Sequence, residues 1–173
     1  MQLPEEDLVH KKYLGEFVYG AMDGTVTTFA VVAGSVGAAL SPQIVLILGF
    51  ANLFADGFSM AASNYLSTKS KNDMQNDFSV NPLKTGLATF VSFIVIGFIP
   101  LFSFVFAPFS QVLKEQTFFS SLVLTALAFL FIGLVKGKIS GRSQLKSAFE
   151  SLAIGLLAAG IAYGVGLFLK SLS

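Results

Sequence analysis

The 173-residue sequence has no cysteine, no tryptophan and one histidine, and only 12% of its residues are charged. Without cysteine there is neither a disulfide scaffold nor a thiolate zinc site. The lone histidine, His10, falls in the N-terminal arm, where a solvated side chain is expected. No nucleophile–base pairing or phosphate-cradling loop accompanies it, so enzymatic catalysis has no foothold. A net charge of +1 with no basic face speaks against a nucleic-acid partner. The charge content is about half that of an ordinary soluble domain. In its place stand 54% hydrophobic residues, 19 phenylalanines and a mean hydropathy of +0.74. An 18.4 kDa globule has too much surface for its size to hide that apolar excess. The same excess rules out disorder. The chain reads as a single integral-membrane domain, with the lipid bilayer as its first partner.

A helix needs about 20 mostly apolar residues to cross a bilayer. Five segments qualify, at about 17–40, 44–66, 87–107, 118–135 and 152–169. They are too long and too uniformly apolar for β-barrel strands, so the expected fold is all-α and polytopic. The first is too long for a signal-peptide core, contains an acid and lacks a cleavage pattern. Ser41-Pro42 separates the first two spans, since proline suits a helix start. A short polar cytosolic loop is expected over 68–83, and further connections over 108–116 and 136–146. Pro100 should kink or loosen the third span. Gly20-x-x-x-Gly24 and Gly160-x-x-x-Gly164 have the spacing of close helix contacts.

Basic residues sort the loops. With the N-terminus in the cytosol, Lys11, Lys12, Lys69, Lys71, Lys84, Lys136, Lys138, Arg142 and Lys146 lie inside, leaving only Lys114 and Lys170 outside. The C-terminus is then outside or lumenal, and the membrane a bacterial inner membrane or a vacuolar one.

An acid at mid-membrane costs about 2.5–3.5 kcal/mol on insertion scales, so it calls for a reason. Asp23 lies in the first span and Asp56 in the second. Glu16 precedes Asp23 by seven residues and shares its helical face, with Thr27 on the same side. In the second span Asn52, Asp56, Met60 and Asn64 recur every fourth residue, with Ser59, Ser63 and Ser67 beside them. A polar stripe on an apolar helix faces other helices or a wet path, not lipid. Asparagine and serine alone can act as interhelical glue, and a methionine alone is usually core filling. A thioether on a carboxylate stripe, however, makes a softer site than an all-oxygen cage, favouring a transition metal such as Fe²⁺ over Ca²⁺ or Mg²⁺.

The strings Tyr19-Gly-Ala-Met-Asp-Gly-Thr-Val-Thr-Thr-Phe-Ala-Val-Val-Ala-Gly34 and Leu53-Phe-Ala-Asp-Gly-Phe-Ser-Met-Ala-Ala-Ser-Asn-Tyr-Leu-Ser67 resemble the first two transmembrane helices of the vacuolar iron transporter family. Val135-Lys-Gly-Lys-Ile-Ser-Gly-Arg142, then Ser147-Ala-Phe-Glu150 and a glycine-rich helix, resemble its C-terminal end. The resemblance implies a five-helix transporter, usually a homodimer with a cytosolic N-terminus. It would export Fe²⁺, and often Mn²⁺ or other divalent metals, from the cytosol in exchange for protons, without a resident cofactor. The family's path lies near the dimer interface. Its first-helix aspartate, the acid two turns earlier and its second-helix methionine match Asp23, Glu16 and Met60. Two departures stand out. The family's Glu- and Met-rich metal-gathering domain between the second and third spans is reduced here to about 68–83, with only Asp73, Met74 and Asp77, which read as loop residues. Many members also have glutamate where this chain has Asn64.

On the combined reading, Glu16 and Asn64 form the cytosolic mouth, and Asp23, Asp56 and Met60 the midplane metal site, with Asn52 and Thr27 on the path. The alternative is a non-transporting membrane protein whose stripes serve oligomer packing. Transport of an organic anion or quaternary amine finds no buried Arg, Lys or aromatic cage.

Overall fold

A computed structural model of the chain describes the backbone of residues 5–172 and the side chains of residues 13–172. The side chains of His10, Lys11 and Lys12 fall outside those described. The described chain is helical and contains no strand. Its helices are α1 (Glu5–Gly37), α2 (Pro42–Gln75), α3 (Pro82–Gly97), α4 (Ile99–Phe106), α5 (Gln111–Glu115), α6 (Thr117–Ile139) and α7 (Gln144–Lys170), with a 3₁₀ turn at Ala107–Phe109 between α4 and α5. Four single helices are long and apolar enough to cross a membrane; α3 together with the segment Ile99–Phe109, bent by 43° at their junction, supplies a fifth span.

The bend sits where Pro100 predicts it. Proline has no N–H to give and its ring crowds the carbonyl four residues back, here Ile96. The helix closes at Phe98, whose N–H reaches Ile94 O, and restarts with a tighter Leu101 N–H to Phe98 O bond at 2.9 Å. Ser121 of α6 donates its hydroxyl to Pro100 O at 2.6 Å, which ties the bend to the neighbouring span.

The helices run past the apolar segments, α7 starting at Gln144 rather than 152, so the expected connection 136–146 shrinks to 140–143. α1 begins at Glu5, about three turns before the apolar run, and ends at Gly37 rather than at residue 40. The expected loop 68–83 is helix as far as Gln75, and only 76–81 connect α2 to α3. This overhang is held by contacts that span two helices: Thr85 donates to Thr68 Oγ1 at 3.1 Å, and Asn72, buried, donates to Val80 O at 2.7 Å. Asn76 ends α2 in the left-handed region (φ 49°), a conformation asparagine tolerates better than most residues. Asn81 caps α3 by accepting from Leu83 N and Lys84 N, with Pro82 in the first turn. Asn81 N–H in turn donates to the Tyr13 hydroxyl, pinning the α2–α3 turn to α1. The expected connection 108–116 holds α5, and α6 continues to Ile139.

α1 is the central element. It packs against α2, α3, α6 and α7, whereas α2 lies against α1, α3 and α4. Phe29, Val32, Leu53, Phe93, Leu101 and Phe129 form the buried centre. Gly20 and Gly24 let α3 approach: a Cβ on Gly24 would sit 2.6 Å from Phe93 O. The second glycine pair behaves otherwise. Within one chain Gly160 and Gly164 face open space, and the α7 contacts are made at Gly155 and Gly166 instead. The outward surface is apolar, including Ile47, Phe58, Phe131, Leu157, Ile161 and Phe168, as a lipid-facing surface requires.

Candidate metal path between the first two helices

The seven residues singled out from sequence occupy one seam. Glu16, Asp23 and Thr27 on α1, and Asn52, Asp56, Met60 and Asn64 on α2, are all half-buried. α2 buries Val45, Gly49, Leu53 and Gly57 in the bundle, a row with one residue every fourth position. Asn52, Asp56 and Met60 each follow a member of that row by three residues, so they flank it on one side. Further round on the same side, Ser59, Ser63 and Ser67 are exposed. Round the other way lie Phe54, Phe58 and Tyr65, exposed and largely apolar. The helix therefore has a lipid flank and a polar flank, and the acid is on the polar one.

One contact fixes the register of the seam. Asn64 Nδ2 donates to Glu16 Oε2 at 2.6 Å and to Thr89 Oγ1 at 2.6 Å. The two amide protons thus bind an acid on α1 and a hydroxyl on α3. Thr89 itself donates to Thr85 O at 3.0 Å, which leaves its lone pairs for Asn64. Because α1 and α2 are antiparallel, a pairing of Glu16 with Asn64 brings Asp23 to the level of Asp56 about two turns further in. The two carboxylates are within electrostatic reach of each other. Thr27 donates its hydroxyl to Asp23 O at 2.9 Å, so toward the seam it can offer only lone pairs. Asn52 Nδ2 is buried with no hydrogen-bond partner among the described residues.

Sequence reasoning missed Thr89. The third span contains no charged residue, yet Thr85, Thr89 and Ser92 are all fully buried on one face of α3. Their i, i+4, i+7 spacing is the signal that could have found them. Asp73, Met74 and Asp77 lie on the α2 overhang and the turn after it. Among the described residues, no three of Asp, Glu, His and Cys converge as a metal-holding group. Within the single chain, Asn64 bridges Glu16, Asp23 and Asp56 lie about two turns further along their helices, and Met60 packs against the hydrophobic core. Two like charges in a low-dielectric seam attract a compensating cation, whether proton or metal.

Replacing Asn64 with leucine removes both amide donors. The loss expected from leaving Glu16 and Thr89 without that donor is about 1–3 kcal/mol, read as a lower melting temperature in detergent. An unchanged melting curve would mean the three-helix clasp contributes nothing to stability.

Comparison with known proteins adds an independent line. The family model described as "VIT family" matches residues 14–78 and 74–167. The two matched segments meet at the α2–α3 turn. A Toxoplasma gondii protein named vacuolar iron transporter is 27% identical, with 91% of this chain and 74% of that protein aligned. A Plasmodium falciparum protein of the same name is 24% identical over 96% of this chain and 86% of its own length. The rice protein vacuolar iron transporter 1 is 22% identical over 94% and 87%. These alignments extend over 224 to 234 positions against a 173-residue chain, so the relatives carry additional residues inside the aligned region.

Proposed function

Because the chain belongs to the VIT family, we propose that it carries a divalent transition metal, Fe²⁺ and/or Mn²⁺, out of the cytosol in exchange for protons. The observation that carries this reading is the α1–α2 seam, in which the intramembrane acids Asp23 and Asp56 share a half-buried polar flank with Met60. Intramembrane acids are expensive and mark ion or proton routes. The donor set, oxygen with one thioether, suits a borderline divalent ion better than Ca²⁺ or Mg²⁺.

In this mechanism the Lys- and Arg-rich end of the bundle faces the cytosol and the Glu16–Asn64 pair forms the mouth. A metal ion displaces the amide from Glu16, then moves two turns inward to Asp23, Asp56 and Met60. Thr27 and Asn52 continue the polar route beyond them. Release to the far side leaves the carboxylates to take up protons, which return to the cytosol as the site reopens inward. Each carboxylate holds either a proton or a share of the metal charge, and this exclusivity couples the two fluxes.

The polar flank of α2 also favours a second copy of the chain. Ser59 and Ser63 are exposed beside Asp56, in the middle of an apolar span where lipid cannot satisfy them. A two-fold partner across α1 and α2 covers that flank and doubles the donors along it, in keeping with closed homodimers as the common oligomer.

Expression in a bacterium under toxic iron or manganese load is expected to lower the metal content of the cells and improve growth. Unchanged metal content and growth for both ions, with the protein present in the membrane, would sink the reading. That outcome favours the packing alternative, for which the polar stripes need no cargo.

A further inference from the structure

Away from the metal seam, at the Lys-rich end of the bundle, α1 and the last turns of α6 leave a cleft of about 310 Å³ between them. Its walls are Val18 and Met22 of α1 and Ile139 of α6; its polar groups are Tyr19, Lys136 and Ser140. Gly15 borders open space in it, since a Cβ there would meet nothing within 4 Å. Lys136 is half-buried in the cleft and has no ion-pair partner among the described residues. Lys138, Arg142 and Lys146 follow within ten residues, and no acid stands among them.

We propose that the Lys136 cleft binds the headgroup of an anionic phospholipid. The charge pattern selects this occupant. A half-buried ammonium with no ion-pair partner among the described residues, next to a tyrosine and a serine hydroxyl, complements a phosphodiester, and basic pockets between spans at the cytosolic side are where such headgroups bind. The apolar walls of the same cleft, Val18, Met22 and Ile139, distinguish a lipid from a free anion, which makes no use of them. The site is about a quarter-turn of α1 away from the Glu16–Asp23 face, so it is separate from the proposed metal route.

The test is native mass spectrometry of the full chain in mild detergent with equal amounts of phosphatidylglycerol and phosphatidylcholine of matched acyl chains. Wild type is expected to retain phosphatidylglycerol about fivefold or more over phosphatidylcholine. Lys136→Gln is expected to bring that ratio close to one, while Lys146→Gln, an exposed basic residue outside the cleft, leaves it unchanged. Gly15→Leu fills the cleft without a backbone clash and should remove the preference even if Lys136→Gln folds poorly. Inorganic phosphate should fail to displace the lipid. Equal retention of the two lipids by wild type would overturn the proposal. So would equal losses for Lys136→Gln and Lys146→Gln, or displacement by phosphate alone.

Discussion

Asp23→Asn is expected to lower Fe²⁺ flux by more than about tenfold while leaving the protein folded in the membrane. The substitution keeps the size and most of the hydrogen-bonding capacity of the side chain and removes only its charge. Weakening even a ligand's supporting contacts typically costs 10–100-fold in metal affinity, so loss of the ligand charge itself should cost at least as much. Stability should move the other way. An amide is cheaper to hold in the membrane than a carboxylate, so expression and melting temperature are expected to stay level or rise. This opposition separates two roles for the residue. A packing acid would show impaired assembly with flux intact in whatever protein survives. A transport acid shows intact assembly with flux lost. Flux in inverted vesicles and a melting curve in detergent, measured on one preparation, decide between them.

Gly24→Val is expected to damage the packing of the bundle beside Asp23. A Cβ at Gly24 would lie 2.6 Å from Phe93 O and 3.0 Å from Phe93 Cα, and one at Gly97 would lie 2.9 Å from the Gly24 carbonyl. α1 and α3 therefore touch backbone to backbone beside Asp23, with no flexible side chain able to yield. Overpacking of this kind costs about 1–3 kcal/mol or more, and branching at Cβ adds to the crowding. The expected result is a melting temperature lowered by several degrees and a loss of flux from the displaced seam. Gly160→Val is the matched control, because nothing lies within 4 Å of that position and the new methyl groups enter lipid. Equal melting curves for the two variants would mean that the close approach of α1 and α3 does not hold the fold together.

The contrast between these glycines shows where sequence reading stops. Both pairs have the same spacing, and spacing alone does not say which side of a helix meets a neighbour. Gly20 and Gly24 lie on the α3 side of α1, while Gly160 and Gly164 lie on the outer side of α7. Span positions were legible because hydropathy reports the thickness of the apolar slab. For the same reason it does not report helix ends. Residues 68–75 are polar and read as loop, yet they continue α2 because Thr68 and Asn72 find partners on and just before α3. Such partners are distant in sequence and leave no local trace. Pro100 was legible, since a missing N–H acts locally.

The site was legible in its parts. Periodicity placed Glu16 with Asp23, and Asn52 with Asp56, Met60 and Asn64, each set on one helix face. What periodicity does not supply is the pairing of those faces, which the Asn64 bridge to Glu16 and Thr89 establishes. Thr89 leaves no electrostatic signal in the sequence, because a threonine in an apolar run carries no charge.

The central claim is that the seam between α1 and α2 conducts a divalent metal against protons. The most direct measurement is Fe²⁺ uptake into proteoliposomes holding the purified protein, with a pH-sensitive dye inside and an imposed gradient, acid interior. The account predicts Fe²⁺ entry above protein-free liposomes that rises with the gradient, accompanied by alkalinisation of the interior as protons leave. Fe²⁺ entry no greater than in protein-free liposomes would contradict it.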